Sequence, residues 1–243
     1  MSYYIMSDIH GCYDLFVSML DKISFTDNDI LILLGDYIDR GNKSVEVIHW
    51  LMDNKNKDNF LFLAGNHEVE FVANVELLNQ IDAYLSLGDI CKKISEQTIY
   101  FDTYGTIRDM VCNKGFDLSG LNKISTFFEQ MPKLYKLNIN DRHYIFTHAG
   151  YVKDCKADNT LLYDREETYK QNPINDTTII HGHTPTIING EIPYNNGFIH
   201  CYSNGSFSVY DIDCGCPFKY NDKSAHLACL KINELGEMNM LYL

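Results

Sequence analysis

The sequence predicts an α/β fold that turns β-rich, of the α+β kind, toward its end. Short apolar runs alternate with segments of helical apolar spacing from residue 3 onward. After Thr186, short alternating segments are separated by Asn-Gly steps. Five polar, glycine-punctuated clusters each follow directly on an apolar run. In open α/β sheets, function gathers in the loops at strand carboxyl ends.

The elements follow in order. Residues 3–7 form the first predicted strand, and residues 13–23 place Leu15, Val17, Met19, Leu20 and Ile23 near helical spacing. Ile30 to Leu34 is an uninterrupted apolar run, as a buried strand requires. Lys43 to Asn54 is a helix with Val45, Ile48, Leu51 and Met52 on one face, and Phe60 to Ala64 is a third buried strand. Residues 67–94 are helical and amphipathic, and the pattern weakens over 95–117. The span 69–120 is expected to form a helical cap beside the active site. A helix over 122–131 stops before Pro132. Leu134–Ile139 and His143–Thr147 join through Asn140-Asp141, a hairpin signal because both residues tolerate positive φ. Strands are expected at 177–181, 206–212, 226–232 and 237–242, with Asn-Gly turns at 189–190, 196–197 and 204–205. The chain has no internal repeat, low-complexity tract or linker, so residues 1–243 are expected to form one domain.

A chain of 243 residues can bury a substantial core. No apolar run approaches the roughly 18 residues of a membrane helix. The first strand starts too early to leave room for a cleavable signal, so a cytoplasmic protein is expected. The eight cysteines, at 12, 91, 112, 155, 201, 214, 216 and 229, are scattered and do not form a disulfide framework. Cys214-Gly215-Cys216 is expected to be a pair of structural thiols rather than a soft-metal site. A formal net charge of −13, with Lys and Arg thinly spread, argues against nucleic acid as the main partner.

The five clusters are Asp8-Ile9-His10-Gly11, Gly35-Asp36-Tyr37-Ile38-Asp39-Arg40-Gly41, Gly65-Asn66-His67-Glu68, His148-Ala149-Gly150 and His181-Gly182-His183-Thr184-Pro185. Together they supply Asp, His, Asn and Arg at strand ends, the side chains a two-metal phosphoester hydrolase needs. In this order they resemble the PPP family of metallophosphoesterases, the serine/threonine protein phosphatases, in its bacterial and phage branch, which includes the bacteriophage lambda phosphatase. The matched motifs run from Asp8 to about Gly215. The resemblance implies a four-layer fold, with two mixed β-sheets in a sandwich flanked by helices.

It also implies a ligand set for two divalent metal ions, with Mn²⁺ favoured and Fe or Zn also suited to such donors. Asp8 and His10 would hold the first ion, Asp36 would bridge both, and Asn66, His148 and His183 would complete the second site. The paired ions would turn a shared water into hydroxide for direct in-line attack on phosphorus. His67 matches the general acid, and Asp39 would hold its ring and favour the protonated form. Asp39 also has a simpler reading, as a salt-bridge partner of Arg40. Arg40 and Arg165 would clamp phosphate oxygens, with Asn66 beside them. Arg165 lies in Leu161-Leu162-Tyr163-Asp164-Arg165-Glu166, where the family's usual Trp is replaced by Tyr163. Its other reading is a solvated charge among Asp164, Glu166 and Glu167. His49, His143, His181, His200 and His226 are left as ordinary surface or core residues, and Cys12 as a helix-start residue.

The expected activity is therefore hydrolysis of phosphoserine and phosphothreonine, with phosphotyrosine as a further substrate, in proteins or peptides. The complete Gly35–Gly41 loop and the Thr98–Gly105 segment, similar to a Thr-Leu-x-Ser-Tyr-Gly stretch of bacterial members, support it. The alternative is a symmetrical diadenosine tetraphosphatase or another small-nucleotide hydrolase, which shares the metal core. A catalytically dead binding module is a third class, and the intact ligand set opposes it. The sequence leaves the oligomeric state open, with a monomer plausible, and the abundant Ile, Asn, Lys and Tyr fit an AT-rich bacterial, plasmid or phage genome.

Overall fold

The computed structural model describes residues 1–80, 86, 88–89, 91–92, 105–153, 158–165, 174–187, 195–205 and 207–243. In chain order its elements are β1 (Ser2–Met6), α1 (Tyr13–Lys22), β2 (Ile30–Leu33), α2 (Ser44–Asn54), β3 (Phe60–Phe62) and α3 (Asn66–Gln80). A short α turn at Thr106–Arg108 runs into a π-helical turn at Asp109–Asn113. Then come α4 (Leu118–Glu129), β4 (Leu134–Ile139), β5 (Arg142–Thr147), α5 (Asp158–Tyr163), β6 (Thr177–His181), β7 (His200–Ser203), β8 (Ser208–Asp211), β9 (Ala228–Asn233) and β10 (Met238–Tyr242).

Among the described residues the strands form two five-stranded sheets, β10-β9-β1-β2-β3 and β4-β5-β6-β8-β7. Strand alternation builds the layers. Tyr3, Ile5, Ile32, Leu34 and Leu63 leave the first sheet on one face and meet Tyr144, Phe146 and Ile180 from the second. Tyr4, Met6, Leu31, Leu33 and Phe62 leave it on the other face and pack under the helices with Phe16, Met19, Ile48 and Leu51. Ile145, Ile179 and Val209 face outward from the second sheet, against Leu161 and Leu162 of α5. The result is the expected sandwich of mixed sheets flanked by helices.

One consequence of this topology places the site. Strands β1, β2 and β3 are parallel, and so are β5, β6 and β8. Within each sheet the carboxyl ends of these strands therefore lie on one edge. Each of the five polar clusters begins at or just after such an end.

Differences from the sequence reading are local. The Asn140-Asp141 turn is present, with φ of 48° and 61°. Strand β7 was not expected. It sits at a sheet edge, and its side chains alternate between half-buried and exposed, which leaves little hydrophobic pattern to read. Of the 69–120 span, α3 and residues 105–113 are helical and contribute Phe71, Val75, Ile107, Met110 and Val111 to the core. Most of 81–94, the Thr98–Gly105 stretch up to residue 104, the 189–190 turn, Cys155, Glu166, Glu167 and Ser206 lie outside the described residues.

Candidate active site

The six predicted metal ligands come from five strand ends and converge, all buried. Asp36 is at the centre. His10 Nε2 lies 3.4 Å from Asp36 Oδ2, and His148 Nε2 lies 3.3 Å from Asp36 Oδ1. Asp8 Oδ1 is 3.8 Å from His10 Nε2. Asn66 Oδ1 and His183 Nδ1 each stand 3.1 Å from His148 Nε2. Six non-glycine residues in these loops hold positive φ: Asp8, His10, Asp36, Asp39, Arg40 and His183. Such conformations cost about 1–3 kcal/mol each and persist where the surroundings over-determine them. Gly182 and Gly65 allow the close approach. A Cβ on Gly182 would overlap Asp8 Oδ2 and Ser7 Oγ, and one on Gly65 would overlap Asp36 Oδ1.

The donor chemistry fits metal ions. His10 Nδ1 faces the Ile38 carbonyl at 2.8 Å, and His148 Nδ1 faces the Leu34 carbonyl at 3.0 Å. A carbonyl only accepts, so Nδ1 carries the proton in each neutral ring and Nε2 offers its lone pair. In a neutral His148 that lone pair faces two acceptors, Asn66 Oδ1 and Asp36 Oδ1, beside His183 Nδ1. A cation resolves this arrangement. On the other side of Asp36, the buried Asp8 Oδ1 and His10 Nε2 have no hydrogen-bond partner among the described residues. Among the described residues, two groups of side chains able to hold an ion share Asp36: His10, Asp36 and His67, and Asp36, His148 and His183.

The electrostatics follow from this crowding. Burial pushes His10 down to about 3 and, together with the His148 charge, His183 down to about 2. Both rings are neutral and ready to ligate. Burial works to raise the Asp36 pKa, but His148 and His67 outweigh it and hold the carboxyl well below the usual range. Burial raises Asp8. His148 is also penalised by burial, yet the Asp36 and Asp8 carboxylates lift it to about 9. Without a cation, a proton does part of the cation's work.

His67 stands apart from the ligands in its partners. Its Nδ1 lies 2.6 Å from Asp39 Oδ2, and its Nε2 lies 3.8 Å from Asp36 Oδ2. Burial opposes protonation of the ring, but Asp36 and Asp39 prevail and raise its pKa. Both arginines act on the cluster. The Arg40 charge acts on His10 and on Asp213, and Arg40 lines a groove of about 220 Å³ with Gly11, Lys43 and Tyr220. The Arg165 charge acts on His183, and Arg165 Nη1 reaches Thr184 Oγ1 at 3.5 Å. Helix α5 sets the approach of Arg165. Its Leu161 carbonyl accepts the Ala149 N–H at 2.8 Å, next to His148.

The sequence reading assigned no role to two residues that the structure ties closely into the site. The buried Glu68 carboxylate takes three backbone N–H groups: Asp36 at 2.8 Å and Gly65 at 2.9 Å on Oε2, and Tyr37 at 2.9 Å on Oε1. Burial and the Asp36 charge push it up to about 7. Its place directly after Asn66-His67 was the available signal. Ser7 donates to Asp8 Oδ2 at 2.5 Å, and the His183 N–H donates to the same oxygen at 3.0 Å. His181, although buried, turns Nδ1 toward the Gly182 carbonyl and belongs to neither ion-holding group.

The pattern of the calcineurin-like phosphoesterases matches residues 1–210, and the chain belongs to that family. It is thus a metallophosphoesterase, a member of a family of phosphoester hydrolases. It is 28% identical over 152 residues to serine/threonine-protein phosphatase 2 of Salmonella typhimurium, covering 62% of this chain and 59% of that one. It is 45% identical over 73 residues to the symmetrical bis(5'-nucleosyl)-tetraphosphatase of Wigglesworthia glossinidia brevipalpis, covering 30% of this chain and 26% of that one. Among solved structures, a Saccharomyces cerevisiae protein serine/threonine phosphatase superposes with a TM-score of 0.60 at 14% identity, over 100% of this chain and 79% of that one. A candidate diadenosine tetraphosphatase superposes with a TM-score of 0.59 at 16% identity, over 99% and 93%. At these identities the superpositions speak for the fold. Among the described residues, no helix is long and apolar enough to cross a membrane.

Proposed function

We propose that this protein hydrolyses phosphate monoesters of serine and threonine side chains, and also of tyrosine, in proteins or peptides. The observation that carries this reading is the buried His67–Asp39 pair, 2.6 Å apart beside the candidate metal ligands. A serine or threonine alkoxide is a strongly basic leaving group and needs a proton as the P–O bond breaks. A nucleoside diphosphate leaves without one. A protonated, carboxylate-held imidazole is therefore best matched to an alkyl ester.

Asp8, His10 and Asp36 would hold one divalent ion, and Asp36, Asn66, His148 and His183 a second, with Mn²⁺ the ion of choice for loading. Bound there, the ions supply Lewis acidity that activates water near neutral pH and offsets phosphate charge. The chain's own residues do the rest. Arg40, whose charge acts on His10, and Arg165, whose charge acts on His183, would present forked donors to the non-bridging phosphate oxygens. Asp39 fixes the tautomer of His67, leaving the Nε2 proton to be given to the leaving oxygen. Glu68 holds the loops of Asp36 and His67 together through three backbone N–H groups.

The second reading is a symmetrical dinucleoside tetraphosphatase. The 45% identity to such an enzyme over 73 residues favours it. The protein, stripped of metal and reloaded with Mn²⁺, decides between them. A higher kcat/KM for a phosphothreonine peptide than for diadenosine tetraphosphate is expected. The reverse order would overturn the proposal in favour of the second reading.

A further inference from the structure

The two carboxylate oxygens of Asp39 have different partners. Oδ2 faces His67 Nδ1 at 2.6 Å, and Oδ1 accepts the hydroxyl proton of Thr106 at 2.5 Å. The same Thr106 oxygen accepts the Asp39 backbone N–H at 3.1 Å, an N–H shared with Ser44 Oγ at 3.0 Å. Thr106 thus grips one residue at both its main chain and its side chain. It is 4% exposed, so water does not compete for these bonds. Asp39 itself sits at φ 68°, a conformation that needs external support.

Thr106 reaches Asp39 across 67 positions of sequence. It begins a short helical turn after Gly105, whose φ of 92° turns the chain there. The turn continues into the π-helical residues Asp109–Asn113, and such turns recur at functional sites. Ile107, Met110 and Val111 anchor it in the core. The hydroxyl therefore projects from a fixed base.

We propose that Thr106 is a positioning residue for the His67–Asp39 pair, and that through it the 105–113 segment sets the aim of the proton that His67 gives to the leaving oxygen. The proposal rests on the acid role of His67 described above. With its only proton committed to Oδ1, Thr106 stops the carboxylate from rotating away from His67. Loss of the hydroxyl frees Asp39 to turn, and the imidazole loses its fixed direction.

The test compares Thr106→Val, which keeps the shape, with Thr106→Ser, which keeps the hydroxyl. Both are assayed as Mn²⁺-loaded protein on phosphoserine peptide and on p-nitrophenyl phosphate, whose leaving group needs no proton. Thr106→Val should lower kcat on the peptide by about tenfold or more, leave the nitrophenyl ester within about twofold, and leave KM unchanged; a well-placed acid is worth about a hundredfold or more in all. Thr106→Ser should restore the peptide rate. In an Asp39→Asn background, Thr106→Val should add nothing further. Thr106→Ala carries the same readout if the valine variant does not fold. An equal loss on both esters, no loss on either, or full additivity with Asp39→Asn would overturn the proposal. His67→Asn in the same assays separates the two levels. An equal loss there on both esters overturns the acid role and the proposal with it. A selective loss there beside an unselective one in Thr106→Val overturns the proposal alone.

Discussion

The Glu68 carboxylate accepts the Asp36 backbone N–H at 2.8 Å and so joins the first turn of α3 to the loop that carries the shared candidate ligand. Gly65 adds a second N–H to the same oxygen, and Tyr37 donates to the other. An amide cannot reproduce this pattern. In Glu68→Gln the NH₂ group must face either the Tyr37 N–H or the two N–H groups on the opposite side. Either choice leaves a buried donor unpaired, at about 1–3 kcal/mol. The melting temperature of the metal-free protein should fall by roughly 5 °C, since each kcal/mol is worth about 2–4 °C at this size. An unchanged melt would show that the two loops hold themselves without Glu68.

Residues of this kind mark the limit of what the sequence displays. The clusters that carry the six candidate ligands were legible because each follows an apolar run, and parallel strands bring such clusters to a common edge; the ligands within them were named by the resemblance to a known family. The layers came with the same resemblance, since the uninterrupted apolar run of β2 marks a buried strand without assigning its side chains to faces, which the structure does. Glu68 and Thr106 act through contacts 31 or 32 and 67 positions away, in part with backbone atoms that no side-chain pattern encodes. The π-helical turn at 109–113 has no period that separates it from an α-helix over five residues. Strand β7 lacks a fully buried face and left no hydrophobic alternation to find.

The His67–Asp39 pair makes a prediction about leaving groups. In His67→Asn the proton donor is gone while the candidate ligand cluster keeps Asp8, His10, Asp36, Asn66, His148 and His183. On a phosphoserine peptide kcat should fall by about 10²–10⁴-fold. On p-nitrophenyl phosphate the loss should stay within about tenfold, because nitrophenolate departs unprotonated. Steady-state kinetics on the two substrates checks this, and parallel losses would remove His67 from the acid role.

Gly182 bears on metal affinity rather than on chemistry. A Cβ there would overlap Asp8 Oδ2 and Ser7 Oγ. Asp8 Oδ2 is held by the Ser7 hydroxyl and the His183 N–H, so Gly182→Ala must disturb the support of a candidate ligand. Losing such support typically weakens metal binding by about 10–100-fold. A Mn²⁺ titration of the stripped variant should show that loss at one of two sites. Wild-type affinity at both would mean that the loop yields without moving Asp8.

Arg165 should act on substrate binding. It reaches Thr184 at 3.5 Å and carries its charge toward His183, yet its guanidinium is exposed. Arg165→Ala should raise KM for phosphopeptide by about tenfold, the weight of one charge-assisted contact of about 1.5 kcal/mol. It should also raise the inhibition constant of inorganic phosphate in step. Unchanged values for both would return Arg165 to the protein surface.

His148 predicts a proton exchange when metal is taken up. Without metal its pKa is about 9, lifted by Asp36 and Asp8 against burial, so near pH 7.5 the ring is protonated. Ligation requires the bare Nε2, because Nδ1 is committed to the Leu34 carbonyl. An ion must therefore displace the Nε2 proton. The sign for stability follows from the same shift. A histidine raised above its ordinary 6.5 stabilises the folded state fully below pH 6.5 and loses that contribution as pH rises through 9. For this buried ring the loss is about 3 kcal/mol. The stripped protein should thus show a falling denaturation midpoint between pH 6.5 and 9. The Mn²⁺-loaded protein should not share that loss, since the ion and not the proton then balances the carboxylates. Calorimetric titration with Mn²⁺ at pH 7.5, in two buffers of different ionisation enthalpy, should report the released proton directly. A flat profile without metal and no proton release would mean that His148 is already neutral and that Asp36 finds its counter-charge elsewhere.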